Sequence, residues 1–417
     1  MAKATARHLL LAGSILAASS WSALAAPTTY SLSTTIAIPG STLGSFDISY
    51  VDPLTGIYYV ADRTDAGVDI INGATNTYLA TAGGFVGAVT IPPSPTIVTA
   101  RSGPDGVVVV DNGTTATLYA GDGNSTLRSF NVTNPSNPVA GGTVNTGGGV
   151  FRVDEMAYSP ATNQIFAANN ANSPAFASLI STSTALAPTL TKTPILVPGQ
   201  IASGGLEQSV WNPVTGTFFV SVPTFNGTDA GGVQEFDTKG NALRTYNFSS
   251  LGISGCSPAG LALGGSGNLM VGCGTAGTQT VVLNPAGTGT IVAKLTQVSG
   301  SDELWYDPVN GLFYVTGVNA AGDRVIDVFS DTDYSLSQSI DLTTFGAGKS
   351  NLHSVAVDPL NGNIFVPLTG TTDDMLCPGG CVAVFAQVAV PEPGSLPLIA
   401  VALVGLAGYA GWRRRAP

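Results

Sequence analysis

The chain has 417 residues, enough for two or three ordinary domains or for one closed array of repeats. Hydrophobic residues make up 44% of the chain and charged residues only 10%, so it can build a large core, which argues against intrinsic disorder. Its formal net charge is −11. An acidic surface repels phosphate backbones, which argues against nucleic acid as a partner and favours cations or neutral glycans.

Residues 1–25 are predicted to be a secretory signal peptide. Lys3 and Arg7 form its positive start, Leu9 to Ala18 its short apolar region, and Ala23-Leu24-Ala25 a small-x-small cleavage site. The alternative, a transmembrane helix, needs about twenty apolar residues, and this stretch is too short. The mature chain is therefore expected to be exported.

A short hairpin recurs along the mature chain, and its clearest copy is Ser301 to Val315. Two β-rich apolar runs flank a turn that Asp307-Pro308 opens and Asn310-Gly311 closes, because proline presets φ and Asn and Gly tolerate a positive φ. Four more turns with proline at the second position begin at Asp52, Ser159, Asn212 and Asp358. Two weaker copies, Asp111 to Gly113 and Gly264 to Asn268, bring the number of turns to seven.

Repeats of roughly 40–50 residues with several short strands each are typical of a β-propeller. The sequence therefore predicts an all-β, seven-bladed β-propeller over residues 26–389. Tyr30 to Ile36 is similar to Tyr334 to Ile340, which precedes the last hairpin, and Cys381 to Phe385 reads as a third strand that lacks a fourth. We expect the N-terminal strand to complete the last blade and so to close the ring, because closure removes exposed sheet edges.

The four cysteines fit an oxidising compartment. Cys256 and Cys273 are symmetric about the fifth turn, and Cys377 and Cys381 bracket one loop of the last blade, so local disulfides within these two pairs are predicted among the three possible connectivities. A metal site is the alternative, but paired C-x-x-C motifs are missing and His353 is the only histidine of the mature chain.

One repeat position carries candidate metal ligands. Six residues before the turn prolines the sequence has mostly acidic residues, with Asp105 one residue out of register in the second blade and Pro258 in the fifth. Because the first strand of each blade lines the channel, these side chains should converge on one mouth and could bind a divalent cation, Ca²⁺ or Mg²⁺. The alternative is a set of polar residues that cap strand starts at a solvated mouth. The candidate ligands are Asp47, Asp154, Glu207, Asp302 and His353.

The C-terminal segment, residues 390–417, has three parts in a fixed order. Pro391-Glu392-Pro393 is followed by an apolar run, residues 396–412, which is predicted to be a transmembrane helix, and then by Arg413-Arg414-Arg415. This order resembles the PEP-CTERM sorting signal of Gram-negative bacteria. The resemblance implies a helix that anchors the chain in the inner membrane, cleavage by an exosortase, and release to the cell surface or extracellular matrix, often in organisms that produce exopolysaccharide. A plain C-terminal anchor is the alternative.

Two further resemblances concern the propeller. His353 to Pro359 and Leu118 to Asn124 are similar to the YVTN/NHL-type propellers of bacterial surface proteins. Glu207 to Pro213 resembles the glutamate-bearing first strand of the gluconolactonase/regucalcin propellers, where a Glu, two Asn and an Asp hold a divalent metal that activates water for lactone hydrolysis. Glu207 matches that motif and Asp302 matches it by position, whereas the two asparagines are missing.

Other catalytic signatures are absent from the sequence, which has no G-x-S-x-G elbow, H-E-x-x-H motif, phosphate loop or complete EF-hand loop. Aromatic residues recur in phase with the blades and are expected to pack between them rather than to stack on sugars: Tyr58, Phe166, Trp211, Phe219, Trp305 and Phe365. The sequence therefore predicts an exported binding or structural module of the cell envelope or extracellular matrix, with exopolysaccharide or envelope components as possible partners. A metal-dependent, lactonase-like hydrolase with its site at the channel mouth is the alternative.

Overall fold

Seven four-stranded antiparallel sheets build the part of the chain that the structure describes, residues 29–388 apart from 41, 193–201, 228–229, 276–278, 349–351 and 371–374. The structure is a computed structural model. The innermost strand of each sheet contacts the innermost strands of its two neighbours, and the seventh sheet contacts the first. The sheets therefore form a closed ring around a central channel, and the predicted seven-bladed propeller is confirmed.

Within each blade the strands follow one another from the channel outward. The chain begins with β1 (Thr29–Ile36), which belongs to the last blade. Blade one contains β2 (Phe46–Val51), β3 (Ile57–Asp62), β4 (Gly67–Asn72) and β5 (Thr77–Gly83). Blade two contains β6 (Val107–Asp111), β7 (Ala116–Gly121), β8 (Thr126–Asn131) and β9 (Val139–Asn145). Blade three contains β10 (Met156–Ser159), β11 (Gln164–Asn169), β12 (Phe176–Ser181) and β13 (Thr189–Lys192).

Blade four is interrupted by a small ribbon. Its four strands are β15 (Ser209–Asn212), β16 (Thr217–Val222), β18 (Gly232–Asp237) and β19 (Ala242–Asn247). The ribbon consists of β14 (Ala202–Ser203), which precedes the blade, and β17 (Thr224–Phe225), which lies between β16 and β18 in the chain. Blade five contains β20 (Pro258–Leu263), β21 (Leu269–Cys273), β22 (Thr280–Asn284) and β23 (Thr290–Leu295). Blade six contains β24 (Leu304–Asp307), β25 (Leu312–Val318), β26 (Arg324–Ser330) and β27 (Leu336–Asp341). Blade seven contains β28 (Ala356–Val357), β29 (Ile364–Leu368), β30 (Cys381–Val388) and β1. Short 3₁₀ helices cover Thr99–Arg101 and Leu342–Phe345.

The repeated turn joins the first two strands of each blade, and its side chains explain its sequence. In blade six Asp307 Oδ1 accepts a hydrogen bond from the Val309 amide at 2.8 Å, and the Asp307 carbonyl accepts one from the Gly311 amide at 2.9 Å. Gly311 has a φ of +63°, which other residues adopt at a cost. Asp52, Asn212 and Asp358 accept the same pair of hydrogen bonds in their own blades. These four hairpins therefore share an Asx turn, whereas the turns of blades three and five begin with Ser159 and Gly264, which cannot form one.

The N-terminal strand closes the ring, as predicted. β1 pairs antiparallel with β30, from Thr29 opposite Val388 to Ile36 opposite Val382. Tyr30 also ties this strand to blade six, because its amide and carbonyl bond the Gln338 side chain at 2.6 and 2.9 Å. The N-terminal strand thus forms hydrogen bonds with the outer edge of blade seven, whose other three strands come from the C-terminal end of the propeller.

Seven hydrophobic clusters hold the blades together, and each lies between two neighbouring blades. Four of the aromatic residues that recur with the blades, Tyr58, Phe166, Phe219 and Phe365, are at most 1% exposed and belong to these clusters. Tyr58 of blade one stacks on Phe365 of blade seven, with 4.9 Å between ring centroids. For these four residues the expected packing between blades is confirmed.

The cysteines are joined locally. Cys256 is bonded to Cys273, with 4.6 Å between the Cα atoms, and Cys377 is bonded to Cys381, with 5.5 Å between the Cα atoms. All four are buried. The first disulfide links the segment before β20 to the end of β21, and the second closes a tight loop before β30.

The two targeting segments fall outside the described residues. The predicted signal peptide 1–25, the Pro391-Glu392-Pro393 motif and the predicted transmembrane helix 396–412 all lie there. Within the described part of the chain, none of the helices is long and apolar enough to cross a membrane.

Candidate binding site in the central channel

The residues that precede the innermost strands line a recess of about 470 Å³ at one end of the channel. We call this recess the charged mouth and define it by Asp47, Arg63, Arg152, Asp302 and His353. Three of these five were predicted from the repeat, whereas the two arginines were not. The convergence of this repeat position on one mouth follows from the ring, because each innermost strand enters the channel in the same way.

Arg63 bridges two of the acidic side chains. It extends from the turn between β3 and β4 and is only 2% exposed. Its guanidinium donates to Asp105 Oδ1 from Nε at 2.9 Å, contacts Asp47 Oδ2 through Nη2, and donates to the Phe46 carbonyl from Nη1 at 2.9 Å. A buried arginine that bonds two carboxylates in this way satisfies charges whose burial would otherwise be costly.

Arg152 supplies the second positive charge. It lies in the loop between blades two and three, donates to Asp154 Oδ2 at 2.6 Å, and stands 3.5 Å from Asp47 Oδ2. His353 Nε2 lies 3.2 Å from Asp47 Oδ1, and its ring stacks on Phe46 at 4.8 Å. Burial alone would raise the pKa of Asp47, but Arg63, Arg152 and His353 together hold it well below its usual range. Asp47 is therefore ionised and fully engaged in ion pairs.

These ion pairs change the interpretation of the predicted ligand ring. Asp47, Asp154 and the out-of-register Asp105 contact arginine side chains, so two guanidinium groups offset much of the charge of this half of the ring. Burial still raises the pKa of Asp154 to about 7 and that of Asp105 well above its usual range, against the effect of the arginines. Arg63 and Arg152 escaped the sequence analysis because they occupy loops outside the repeat position. The only sequence signal was their rarity, since the whole chain has 15 lysines and arginines.

The other half of the ring keeps its carboxyl groups together. Glu155, Glu207 and Asp302 each offer an oxygen, and these oxygens lie within 4.8 Å of one another. Burial first, and then the charges of neighbouring carboxylates, raise the pKa of Glu155 and of Glu207 well above the usual range. Burial also raises the pKa of Asp302, with His353 opposing it. This acidic trio can hold protons or a cation. Glu155 follows the predicted ligand Asp154 directly and was missed because it lies one residue beyond the repeat position.

Polar side chains cross the channel below the mouth. Gln208 of blade four accepts hydrogen bonds from the Leu261 and Leu304 amides at 2.6 and 2.9 Å, and so reaches blades five and six. Glu303 is 2% exposed, accepts from the Ser354 hydroxyl, and accepts from the Val355 amide at 3.3 Å. Burial raises the pKa of Glu303 well above its usual range, which favours the neutral form of the group.

Beyond these side chains the channel widens into a cavity of about 400 Å³ with aromatic walls, which we call the aromatic cavity. Tyr50, Trp211, Trp305 and Tyr306 line it and are partly exposed, while Glu155 and Glu303 line its inner end. Tyr50 meets Trp305 edge to face, with 5.6 Å between ring centroids. Trp211 and Trp305 also contact interblade clusters, so the predicted packing role holds for them only in part.

Two polar groups in the walls of the aromatic cavity lack protein partners. Within the described residues, neither the Ser209 hydroxyl nor the Trp211 indole N–H makes a hydrogen bond, although both atoms are buried. Both atoms are closed off from solvent, so a ligand could bond them only after a side chain of the wall moves. The cavity is mostly apolar, with several aromatic residues and a few polar groups, and so has the size and composition of a small-molecule site.

Comparisons with known proteins bear on targeting and fold. Residues 389–415 match the model of the PEP-CTERM protein-sorting motif. This motif implies export, cell-surface targeting and processing by an exosortase-type enzyme. No curated protein sequence matches the chain.

Solved structures with the same architecture are distant in sequence. A chain of the "Mitotic Checkpoint Complex" aligns with 93% of this chain and all of its own length, at 14% identity and a TM-score of 0.58. The "WD40 beta propeller domain of Doa1" aligns with 87% of this chain and 98% of its own length, at 14% identity and a TM-score of 0.56. Chaetomium thermophilum Raptor aligns with 88% of this chain and 30% of its own length, at 10% identity and a TM-score of 0.58. At these identities the similarity shows a WD40-like propeller fold alone.

Proposed function

We propose that the protein is an exported binding module of the cell envelope or extracellular matrix, and that its aromatic cavity binds a small neutral ligand with an apolar face and several hydroxyl groups. A sugar unit of an exopolysaccharide is the ligand of this kind that the proposed location supplies. The observation that carries the proposal is the meeting of Trp211, Trp305 and Tyr50 around one cavity of the channel, which Glu155 and Glu303 also line.

The chemistry of the cavity favours a neutral ligand. Aromatic faces provide apolar contact area with little loss of side-chain freedom, and partly exposed rings are available for it. Glu155 and Glu303 have raised pKa values through burial, so as neutral carboxylic acids they can donate a hydrogen bond as well as accept one. The net charge of −11 opposes an anionic ligand.

The sorting motif supports the location. We infer that residues 396–412 form a helix that holds the chain in the inner membrane until an exosortase-type enzyme cuts near Pro391-Glu392-Pro393. The propeller is then released to the cell surface or the surrounding matrix, where exopolysaccharide is accessible to the cavity.

Tryptophan fluorescence tests the binding site directly. Trp211 and Trp305 line the cavity, Trp21 lies in the signal peptide, and Trp412 can be removed as Trp412→Phe. Titration of the exported chain with neutral mono- and oligosaccharides should change the emission in a saturable way. Trp305→Leu should weaken binding by at least about tenfold, whereas Trp305→Phe, which keeps an aromatic face, should retain most of it. Saturable binding that is the same in both variants would place the ligand elsewhere, and the absence of any saccharide response would refute the proposal.

A second function is favoured by the acidic trio. Glu155, Glu207 and Asp302 could bind Ca²⁺ or Mg²⁺ at the charged mouth, and a cation there could activate water for a lactonase-like hydrolysis. Asp47, Asp154 and His353 would then act around the cation rather than as ligands, because Asp47 and Asp154 are paired with arginines. Metal analysis and a lactone screen of the purified protein test this alternative. Glu207→Gln with Asp302→Asn should remove one divalent ion per chain and abolish any hydrolysis.

A further inference from the structure

A second carboxylate cluster lies outside the channel, at the seam where the ring closes. Asp62, Asp65 and Asp69 belong to the β3–β4 hairpin of blade one, and each offers an oxygen within 4.8 Å of the other two. Asp69 lies opposite Val60 in the ladder, and Val60 is two residues from Asp62, so the side chains of Asp62, Val60 and Asp69 project from the same face of the sheet. Asp65 lies in the turn between the two strands. Val60 packs with Val382 and Val384 of blade seven. The cluster therefore faces the junction between the first and last blades.

The two carboxyl oxygens of Asp62 differ in their hydrogen bonds. Its Oδ1 accepts hydrogen bonds from the Thr64 amide at 2.7 Å and the Asp65 amide at 3.2 Å, which fold the turn around the carboxylate. Its Oδ2 is buried and accepts no hydrogen bond from a backbone or hydroxyl donor among the described residues, and the whole residue is 0% exposed. The same amides orient the side chain, so Oδ2 cannot turn to solvent without breaking them.

Asp69 repeats this arrangement on the neighbouring strand. Its Oδ1 accepts from the Thr81 hydroxyl at 2.5 Å, and the Thr81 oxygen is in turn 2.7 Å from the Tyr78 hydroxyl. Its Oδ2 is also buried and accepts no hydrogen bond from a backbone or hydroxyl donor in the described part of the chain, and the residue is 0% exposed. The carboxyl groups of Asp62 and Asp69 contact each other, so they cannot both be ionised there without a compensating charge, and the pair must hold either a proton or a cation.

A divalent cation accounts for the arrangement. Calcium binds carboxylate oxygens at about 2.3–2.6 Å, so two of its ligands can lie up to about 5 Å apart, which fits the separation within the cluster. Asp65 is partly exposed, so water can fill the remaining positions from that side. Calcium tolerates irregular geometry and six to eight ligands, whereas magnesium demands a near-ideal octahedron.

We propose that Asp62, Asp65 and Asp69 bind one Ca²⁺ at the seam between blades one and seven. The ion neutralises the two buried carboxylates beside the packed Val60 and thereby stabilises the closed ring. Extracellular modules commonly bind calcium with dissociation constants of about 10⁻⁴–10⁻³ M, so such a site would be filled outside the cell. The inference is independent of the ligand proposed for the channel.

Calcium binding to the chelator-treated exported chain tests the site. Isothermal titration should show one Ca²⁺ per chain, and the thermal midpoint should rise by about 3 °C at calcium concentrations far above the dissociation constant. Asp65→Asn, in the partly exposed turn, should weaken calcium binding at least about tenfold without disturbing the core. Asp69→Asn should abolish it.

Two control variants distinguish this site from others. Asp327→Asn changes the matching position of blade six, where a buried Asp lies opposite Ser339 as Asp69 lies opposite Thr81, but no carboxylate cluster includes it among the described residues. Asp333→Asn changes an exposed aspartate of blade six that belongs to neither carboxylate cluster. Both variants should bind calcium as the wild type does. The proposal is wrong if the wild type neither binds calcium nor is stabilised by it, since Asp62 and Asp69 would then share a proton, or if Asp65→Asn and Asp69→Asn bind calcium undiminished.

Discussion

Single residues decide how much charge this propeller buries. Arg63 bonds Asp47 and Asp105, and Arg152 bonds Asp154, so three buried carboxylates at the charged mouth are matched by two guanidinium groups. Asp327 has no arginine or lysine partner among the described ion pairs, although it is only 1% exposed. Only the Ser339 hydroxyl, opposite it in the ladder, counteracts the effect of burial on its pKa. Burial raises the pKa of Asp327 to about 6.

The raised pKa of Asp327 makes the stability of the propeller depend on pH. Below about pH 4 this group is protonated in both the folded and the unfolded chain, and its burial costs little. As the pH rises from about 4 to 6, the unfolded chain loses the proton first, so the free energy of unfolding falls, by about 3 kcal/mol once the pH exceeds 6. Asp327→Asn stays neutral and should avoid this loss. Relative to the wild type, the variant should therefore be more stable at pH 8 than at pH 4 in urea unfolding.

An exposed aspartate provides a control of opposite sign. Asp333 accepts hydrogen bonds from the amide and hydroxyl of Ser335, which hold its pKa below the usual value. Asp333→Asn should not gain stability over the wild type as the pH rises. If the difference in stability between Asp327→Asn and the wild type is the same at both pH values, burial does not raise the pKa of Asp327 and the prediction is wrong.

At the scale of strands and loops, the two disulfides each join residues that are close in the sequence. The Cys256–Cys273 disulfide spans 17 residues and joins the segment before β20 to the end of β21, whereas Cys377–Cys381 spans 4 residues. A link that closes a longer loop removes more freedom from the unfolded chain, so the first disulfide should contribute more to stability.

Removal of each disulfide tests this order. Cys256→Ala with Cys273→Ala should lower the free energy of unfolding by about 3 kcal/mol, and Cys377→Ala with Cys381→Ala by about 2 kcal/mol, in the loop-entropy model. Non-reducing peptide mapping of the wild type should recover the same two pairs. A crossed pair in the map would mean that the hairpin register around β20 and β21 is wrong, and an inverted order of the two losses would show that loop length does not govern them.

At the scale of the whole molecule, export and ring closure are separate properties. The propeller extends from Thr29 to Val388 and closes on itself through β1 and β30, so its interblade contacts do not depend on the segments that direct it. The sorting motif occupies residues 389–415 and begins directly after β30. Processing there would leave all seven blades complete.

Alanine substitution of the motif tests the targeting. When Pro391, Glu392 and Pro393 are all replaced by alanine, the chain should remain in the inner-membrane fraction with its unprocessed mass, because the processing enzyme no longer recognises it. Replacement of Pro359, a proline in the last hairpin turn, by alanine is a control that should leave location and mature mass unchanged. An unaltered mass and location of the triple variant would show that the motif does not direct sorting.

Much of the architecture could be predicted because short sequence motifs within each hairpin determine it. Each hairpin carries its own turn. In most copies an Asp or Asn accepts the amide two residues later, and most copies also have a proline and a glycine at positive φ, so the number of blades could be counted directly. Closure could be predicted from the match between Tyr30 to Ile36 and the outer strand of blade six. The convergence of one repeat position on a channel mouth followed from the same regularity.

The chemistry of the channel was decided only by the tertiary structure. Arg63 and Arg152 reach the mouth from loops of different length that do not repeat, so no sequence period relates them to the carboxylates that they neutralise. Trp211 and Trp305 were expected to pack between blades, but their place beside the channel also exposes them to the cavity. The sequence by itself determined the repeat, its closure and its targeting motif, because these depend on local chain geometry and short motifs. Which charges are paired, and which carboxyl groups remain together, depends on side chains from distant loops that meet only when the ring is complete.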